Sequence, residues 1–476
     1  MTEFLKRKVI EGFVWSAIER FSLRFVQFAV NIIMARLLLP SDFGIIAILS
    51  VFLQISQSFI DCGFTDALIR QQDRTERDFS TAFYFNIVIS VFFYFILFIS
   101  AHWISEFYDM PILVLIIRVI AINLIIMAFS AIHRVKLNIE LDFKTQAKIS
   151  FVAALFSGII GIGMAYYEFG VWALVTQTIL NSLLATLLLY YFVSWVPLCT
   201  FSVQSFTRLF SFGSKLLLSS LISRTYSNLY PLVIGRNFST TVLGCFTNAN
   251  QLASFPSSNL CNVISRVMYP VLSSIQNDNV LLVKTYRKYI RMASYIIFPL
   301  MMGLLVLSSS IIHFLLTDKW NGAIVLLQIL CLDWMFDHVS AINLNLLYVK
   351  GRSDLALRLE IIKKIIATSI LFISLLGGIY GICWGRVVYS LIATYLNTYY
   401  TKTLTGISVA DQAKDVLPYF LLALVMGGAV FLSSKLFSHY LLQLLVGVSV
   451  GIVSYSILSI LFCKKSLMEL RSLIYK

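Results

Sequence analysis

The sequence predicts an all-α integral membrane protein with about 14 transmembrane helices, and three observations predict it. The 476 residues are 59% hydrophobic and only 13% charged, against about 25% charged residues in ordinary soluble domains. Apolar runs long enough to cross a hydrocarbon core of about 30 Å as helices recur from end to end. The cations fall in alternate connections between those runs, the pattern of a chain that crosses a bilayer repeatedly.

Taken in order, the spans start near residues 13, 41, 79, 111, 148, 170, 209, 240, 290, 322, 361, 379, 417 and 440. The opening "MTEFLKRKVIEGF" is basic, as a signal peptide is, but the apolar stretch behind it holds Glu19, Arg20 and Arg24 and no small-residue cleavage site follows. It reads as an uncleaved first span. Pro111, Pro418 and the "PSDFG" turn at 40–44 are expected to mark span ends, because proline breaks helices. All connections are short, so no soluble catalytic domain is expected. Cys62, Cys199, Cys245, Cys261, Cys331, Cys383 and Cys463 form no C-x-x-C pair and mostly lie in apolar runs. They read as small hydrophobic fillers, with no disulfide framework, metal site or cofactor.

Charge sets the orientation. One alternate set of connections, the termini included, carries 27 cations, and the other holds only Arg36, Arg236, Lys319 and Lys435. The positive-inside rule then puts both termini in the cytoplasm. The net charge of +14 is therefore a topology signal facing anionic lipid heads, and no nucleic-acid partner is expected.

The chain also resembles itself at an offset of 200. Arg24 falls on Arg224, Arg36 on Arg236 and Gly44 on Gly244. Six spans separate the copies, so both start on the same side and the repeats are parallel. This predicts an N-lobe of six spans at 1–200, a C-lobe of six at 201–402 and two appended spans at 403–476. Parallel lobes with mid-membrane polar residues are transporter architecture, with a substrate site near the midplane.

Intramembrane polarity concentrates in spans one, two, seven and eight. In "SVFLQISQSFID", Gln54, Gln57, Ser58 and Asp61 stand three and four apart and share a helical face. "SRTYSNLYP" supplies Ser223, Arg224, Thr225, Ser227, Asn228 and Tyr230. "TNANQLASFPSSNLCN" places Asn248, Gln251, Ser254, Ser258 and Asn262 around Pro256. Single residues of this kind often only bond helix to helix. Four equivalent helices sharing the bias point instead to a water-filled groove.

Arg24 and Arg224 lie near the middles of spans one and seven, where an arginine costs about 2.5–3.5 kcal/mol on insertion scales. Glu19 or Asp61 could neutralise one of them. A guanidinium also binds phosphate oxygens through two parallel donors, so Arg24, Arg224 and Arg20 are candidates to hold a phosphate group. In "CLDWMFDH", Asp333 and Asp337 stand at i, i+4. With Glu19 they are candidate proton or sodium coupling groups, and partnership of the aspartates with Arg386 is the structural alternative.

Eight segments then occur in order: "ARLLLPSDFGIIAI", "GFTDALIRQQDRTERDFSTAFYFN", "LDFKTQAKISF", "GVWALVTQTI", "FSFGSKLLLSSLI", "VIGRNFSTTVLGCFTNANQLASFPSSNL", "YPVLSSIQND" and "GRSDLALRLEIIKK". Together, from about residue 5 to beyond 400, they resemble the Wzx-type polysaccharide exporters. The likeness is to the branch with the colanic-acid and teichuronic-acid exporters, in the multidrug/oligosaccharidyl-lipid/polysaccharide flippase superfamily. The resemblance implies a V-shaped pair of six-helix lobes whose spans one, two, seven and eight line a cavity. It implies a flippase that moves an undecaprenyl-diphosphate-linked oligosaccharide across a bacterial inner membrane, and not an enzyme. On that implication Arg24, Arg224 and Arg20 hold the diphosphate, while Gln54, Gln57, Asn228, Asn248 and Gln251 face the sugars. Membrane lipids, a coupling ion (H+ or Na+) and a polysaccharide polymerase are the implied partners.

Two other readings stay open. An ion-coupled multidrug antiporter of the same superfamily should favour carboxylates and aromatic residues in its cavity. A membrane-embedded polymerase or ligase needs a large outer loop with catalytic residues, and the outer connections here are short.

Overall fold

In the computed structural model, residues 26–462 are described. Every regular element among them is helical. They are α1 (Val26–Leu37), α2 (Pro40–Asp61), α3 (Phe64–Arg70), α4 (Glu76–Phe107), α5 (Ile112–Ile120), α6 (Ile122–Glu140), α7 (Phe143–Tyr166), α8 (Val171–Phe192), α9 (Val203–Ser227) and α10 (Leu229–Asn237). Next come α11 (Thr240–Ser274), α12 (Asn279–Val306), α13 (Ser308–Leu316), α14 (Gly322–Met335), α15 (Asp337–Val349), α16 (Ser353–Ser374), α17 (Gly378–Thr405), α18 (Val409–Ser434) and α19 (Tyr440–Phe462). The chain forms two compact units, one reaching Gly244 and the other starting at Cys245.

Among the described residues, ten stretches are long and apolar enough to cross a membrane, and one of them, Ser353–Thr405, holds two of the predicted spans. The other three predicted spans fail that test for visible reasons. Only the second part of the first span lies in the described residues. Span seven is interrupted at Asn228, between α9 and α10, and α11 is diluted by its amides and by Pro256 and Pro270. Each predicted span therefore has a helical counterpart. Large apolar side chains such as Phe92, Phe95 and Ile99 on α4 stay exposed, as lipid-facing residues do.

Pro418 does not end a span. It lies inside α18, which starts nine residues earlier because Ser408 and Asp411 cap each other's backbone: Ser408 Oγ accepts from Asp411 N at 3.1 Å, and Asp411 Oδ2 accepts from Ser408 N at 3.1 Å. The two donors satisfied reciprocally fix the helix start, and a proline inside a membrane helix is tolerated where neighbouring groups satisfy the freed backbone.

Unit 1 is fastened at the start of α4. The segment after α8 docks there: Trp195 Nε1 donates to Glu76 Oε2 (2.6 Å), and Leu198 N and Ser202 N donate to the Ser80 and Thr81 hydroxyls (2.8 and 3.1 Å). Arg208 on α9 pairs with the fully buried Asp78 at 2.6 Å. Trp195 also meets Phe83 edge-on, with ring centroids 5.7 Å apart, in an apolar cluster with Phe64, Leu68 and Leu209. The connector is thus held to α4, and α9 starts from a fixed point.

In unit 2, α12 packs on α14, α15 and α18, and α18 packs on α19. A chain of buried polar groups ties three of these helices together. Tyr286 OH donates to Asn343 Oδ1 (2.6 Å), and Asn343 Nδ2 donates to Gln412 Oε1 (3.0 Å). Inside a membrane such pairs replace the water that the groups would otherwise need.

Candidate functional site

The site in unit 1 follows from a close helix crossing. After α2 the chain turns through Cys62 (φ 40°) and Gly63 (φ 68°), both left-handed. A Cβ added at Gly63 would lie 2.7 Å from the Gly213 carbonyl oxygen, and one added at Gly213 would overlap the Cys62 carbonyl. Two residues without Cβ atoms therefore let α9 press against the end of α2. Three helical turns further along α9, Arg224 arrives beside the polar face of α2.

There Arg224 Nη1 donates to the Gln54 carbonyl at 3.1 Å, and Nη2 lies 3.6 Å from Asp61 Oδ2. Gln57 Nε2 donates to Asp61 Oδ1 at 2.9 Å. Asn228, at the break between α9 and α10, donates to the Arg224 carbonyl (2.7 Å) and to Gln54 Oε1 (3.3 Å). The predicted Gln54, Gln57, Asp61, Arg224 and Asn228 thus come together. All but Asn228 line a cavity of about 610 Å³.

The cavity also takes in residues that the sequence reading did not select: Asn123, Arg134 and Asn138 on α6, and Gln146 on α7. By sequence Arg134 reads as one of the 27 connection cations, but α6 continues to Glu140 and carries it into the cavity wall. With Asp66 also lining the wall, two arginines face two aspartates, so the charged lining among the described residues is balanced.

Unit 2 holds the other predicted groups. Arg386 on α17 pairs with Asp333 on α14 at 2.6 Å, with both side chains largely buried. Arg386 Nη1 and Trp334 Nε1 both donate to Asn250 Oδ1, at 2.9 and 3.1 Å. The arrangement is the structural alternative foreseen for Asp333. A break at Phe336 separates Asp333 from Asp337, which opens α15. On α11, Asn248 is buried and Gln251 exposed. Asn250, which lies between them and off their spacing, is the residue that joins the ion pair. Glu19, Arg20 and Arg24 lie outside the described residues.

Comparison with known proteins agrees with this architecture. The family described as polysaccharide biosynthesis protein matches residues 33–325. The teichuronic acid biosynthesis protein TuaB of Bacillus subtilis (strain 168) is 24% identical over 462 residues, covering 95% of each chain. The lipopolysaccharide biosynthesis protein WzxC of Escherichia coli (strain K12) is 25% identical, covering 88% of this chain and 86% of that one. Among solved structures, the lipid II flippase MurJ in an inward closed conformation superposes with a TM-score of 0.76 at 14% identity, covering 95% of this chain and all of that one. An inward-facing multidrug resistance MATE family transporter of the MOP superfamily gives 0.63 at 15% identity, covering 81% and 96%. The chain belongs to the polysaccharide biosynthesis protein family, as a multi-pass membrane protein with the fold seen in the MurJ flippase and the MATE transporter.

Proposed function

We propose that the protein moves an undecaprenyl-diphosphate-linked oligosaccharide from the cytoplasmic to the outer leaflet of a bacterial inner membrane, by alternating access, for surface polysaccharide synthesis. The observation that carries this reading is the polar cavity around Arg224, enclosed by membrane-spanning helices in a chain of this family. A sugar hydroxyl taken into hydrocarbon without a partner costs on the order of several kcal/mol, and an oligosaccharide has many. A groove lined with amides and charges replaces water for the glycan while the polyprenyl tail stays in lipid.

In this reading Arg224, with Arg24 and Arg20, holds the diphosphate. Arg224 exchanges its contact with Asp61 for phosphate oxygens, which accept its donors in a better geometry than the present 3.6 Å pairing. Gln54, Gln57, Asn228, Asn248 and Gln251 take the sugars. Lobes 1–200 and 201–402, with spans thirteen and fourteen at 403–476, rock about the site, and both termini stay cytoplasmic. Asp333 is engaged by Arg386, which leaves Asp337 and Glu19 as the candidates for H+ or Na+ coupling. A polymerase on the outer face would consume the product.

The rival is a multidrug antiporter, since transporters of that kind share the fold. Depleting the protein in its host separates the two readings. Accumulation of polyprenyl-diphosphate oligosaccharide in the cytoplasmic leaflet supports the flippase. Unchanged lipid-linked glycan together with greater sensitivity to cationic drugs supports the antiporter.

A further inference from the structure

We infer that the unit 1 cavity contains a recognition site for sugar hydroxyls in which α6 and α7 add acceptors to the polar face of α2. The inference rests on the reading of the protein as a carrier of lipid-linked glycan.

Three amide oxygens carry it. Gln57 Oε1, Asn123 Oδ1 and Gln146 Oε1 are buried and have no hydrogen-bond partner among the described residues. All three residues line the same cavity. Buried polar side-chain atoms are nearly always paired, with protein or with water, so three orphan acceptors on residues lining one space are places for hydroxyl donors, water's or a ligand's.

The nitrogen ends of two of these amides are tied back. Gln57 Nε2 donates to Asp61 Oδ1 at 2.9 Å, and Asn123 Nδ2 points at Met127 Sδ, 3.6 Å away. The free ends are therefore the acceptors. A phosphate or carboxylate, itself an acceptor, cannot satisfy them. Beyond the diphosphate assigned to Arg224, the lining calls for no further anion, because Arg134 and Arg224 are balanced by Asp61 and Asp66. A neutral ligand rich in hydroxyl donors fits both facts, and a glycan is such a ligand. Discrimination follows too: a site whose buried acceptors need hydroxyl donors rejects a ligand that lacks them. Gln146 sits near the start of α7 and Asn123 near the start of α6. The acceptors are therefore spread along the cavity, as suits successive sugar rings.

The test measures binding of the full-length protein in nanodiscs to two probes, farnesyl diphosphate and farnesyl-diphosphate-linked glucose disaccharide. The wild type should bind the glycosylated probe more tightly. Asn123→Ala and Gln146→Ala should each reduce that sugar-dependent gain about fivefold, the equivalent of one ordinary hydrogen bond. Affinity for farnesyl diphosphate should be unchanged, and Gln146→Glu, which keeps an acceptor, should retain the gain. If the variants weaken both probes equally, or neither, the hydroxyl site is overturned. Equal wild-type affinity for the two probes overturns it as well, while the carrier reading stands. Binding of neither probe by the wild type overturns the carrier reading and the site with it. Gln146 is only half-buried, so Gln146→Ala decides the question alone if Asn123→Ala does not fold.

Discussion

Gly44 and Gly244 each lie against the backbone that opens the other's helix. A Cβ on Gly44 would overlap the Thr240 carbonyl, and a Cβ on Gly244 would overlap the Pro40 carbonyl. The same offset of 200 relates Pro40 to Thr240, and α1 and α10 end at matching positions, Leu37 and Asn237. Two glycines 200 residues apart thus share a reciprocal backbone contact that only glycine allows.

Gly44→Ala and Gly244→Ala should therefore each destabilise the protein by about 1–3 kcal/mol, the usual cost of forcing extra volume into a packed contact. Thermal unfolding in detergent measures it. Gly303→Ala and Gly428→Ala are the controls, because nothing lies within 4 Å of a Cβ added at either position. Their stability should hold or rise slightly, since alanine is the better helix former by about 1 kcal/mol.

The clamp at the start of α4 gives an asymmetric prediction. Asp78 is fully buried, whereas Arg208 is half-exposed. Removing the arginine strands a buried carboxylate, and an unsatisfied buried group costs about 1–3 kcal/mol or more when charged. Asp78→Asn removes the charge and keeps an acceptor for Thr75 N, which donates to the carboxylate at 2.8 Å. Arg208→Ala should therefore lower the unfolding temperature more than Asp78→Asn.

For the buried pair in unit 2, Arg386→Ala should be worse than the double variant Asp333→Asn/Arg386→Gln, because the single change leaves Asp333 charged and unpartnered in an apolar setting. Breaking one partner of a buried pair costs about 3–5 kcal/mol, while replacing both is far milder. The double variant also probes coupling. Translocation that keeps its response to an imposed ion gradient would show that Asp333 is structural. Loss of that response with the protein stably folded would make it a coupling group.

Much of the fold was legible because bilayer physics writes it in composition: span length, cation alternation and the breaks around Pro40 and Thr240 all survive in the sequence. The polar face of α2 was legible for a similar reason, since Gln54, Gln57 and Asp61 interrupt an apolar run at helical spacing. Arg134 was not, because a cation near a span's end reads as a loop charge until the helix is seen to continue to Glu140. Nothing local in the sequence distinguishes Asn123 and Gln146 from residues that bond helix to helix. Asn250 escaped because its partners, Trp334 and Arg386, are 84 and 136 residues away. Pro418 misled because its local effect was weighed without the cap at Ser408.

The most direct test of the central claim is a leaflet-translocation assay in proteoliposomes, using a labelled polyprenyl-diphosphate oligosaccharide with wild type, Arg224→Ala and Arg24→Ala. The account predicts that the wild type moves the lipid and that both variants, inserted and folded, lose at least tenfold in rate, since an ionic hydrogen bond to phosphate contributes about 1.5–3 kcal/mol. Translocation by both variants at the wild-type rate would contradict it and place the diphosphate away from these arginines.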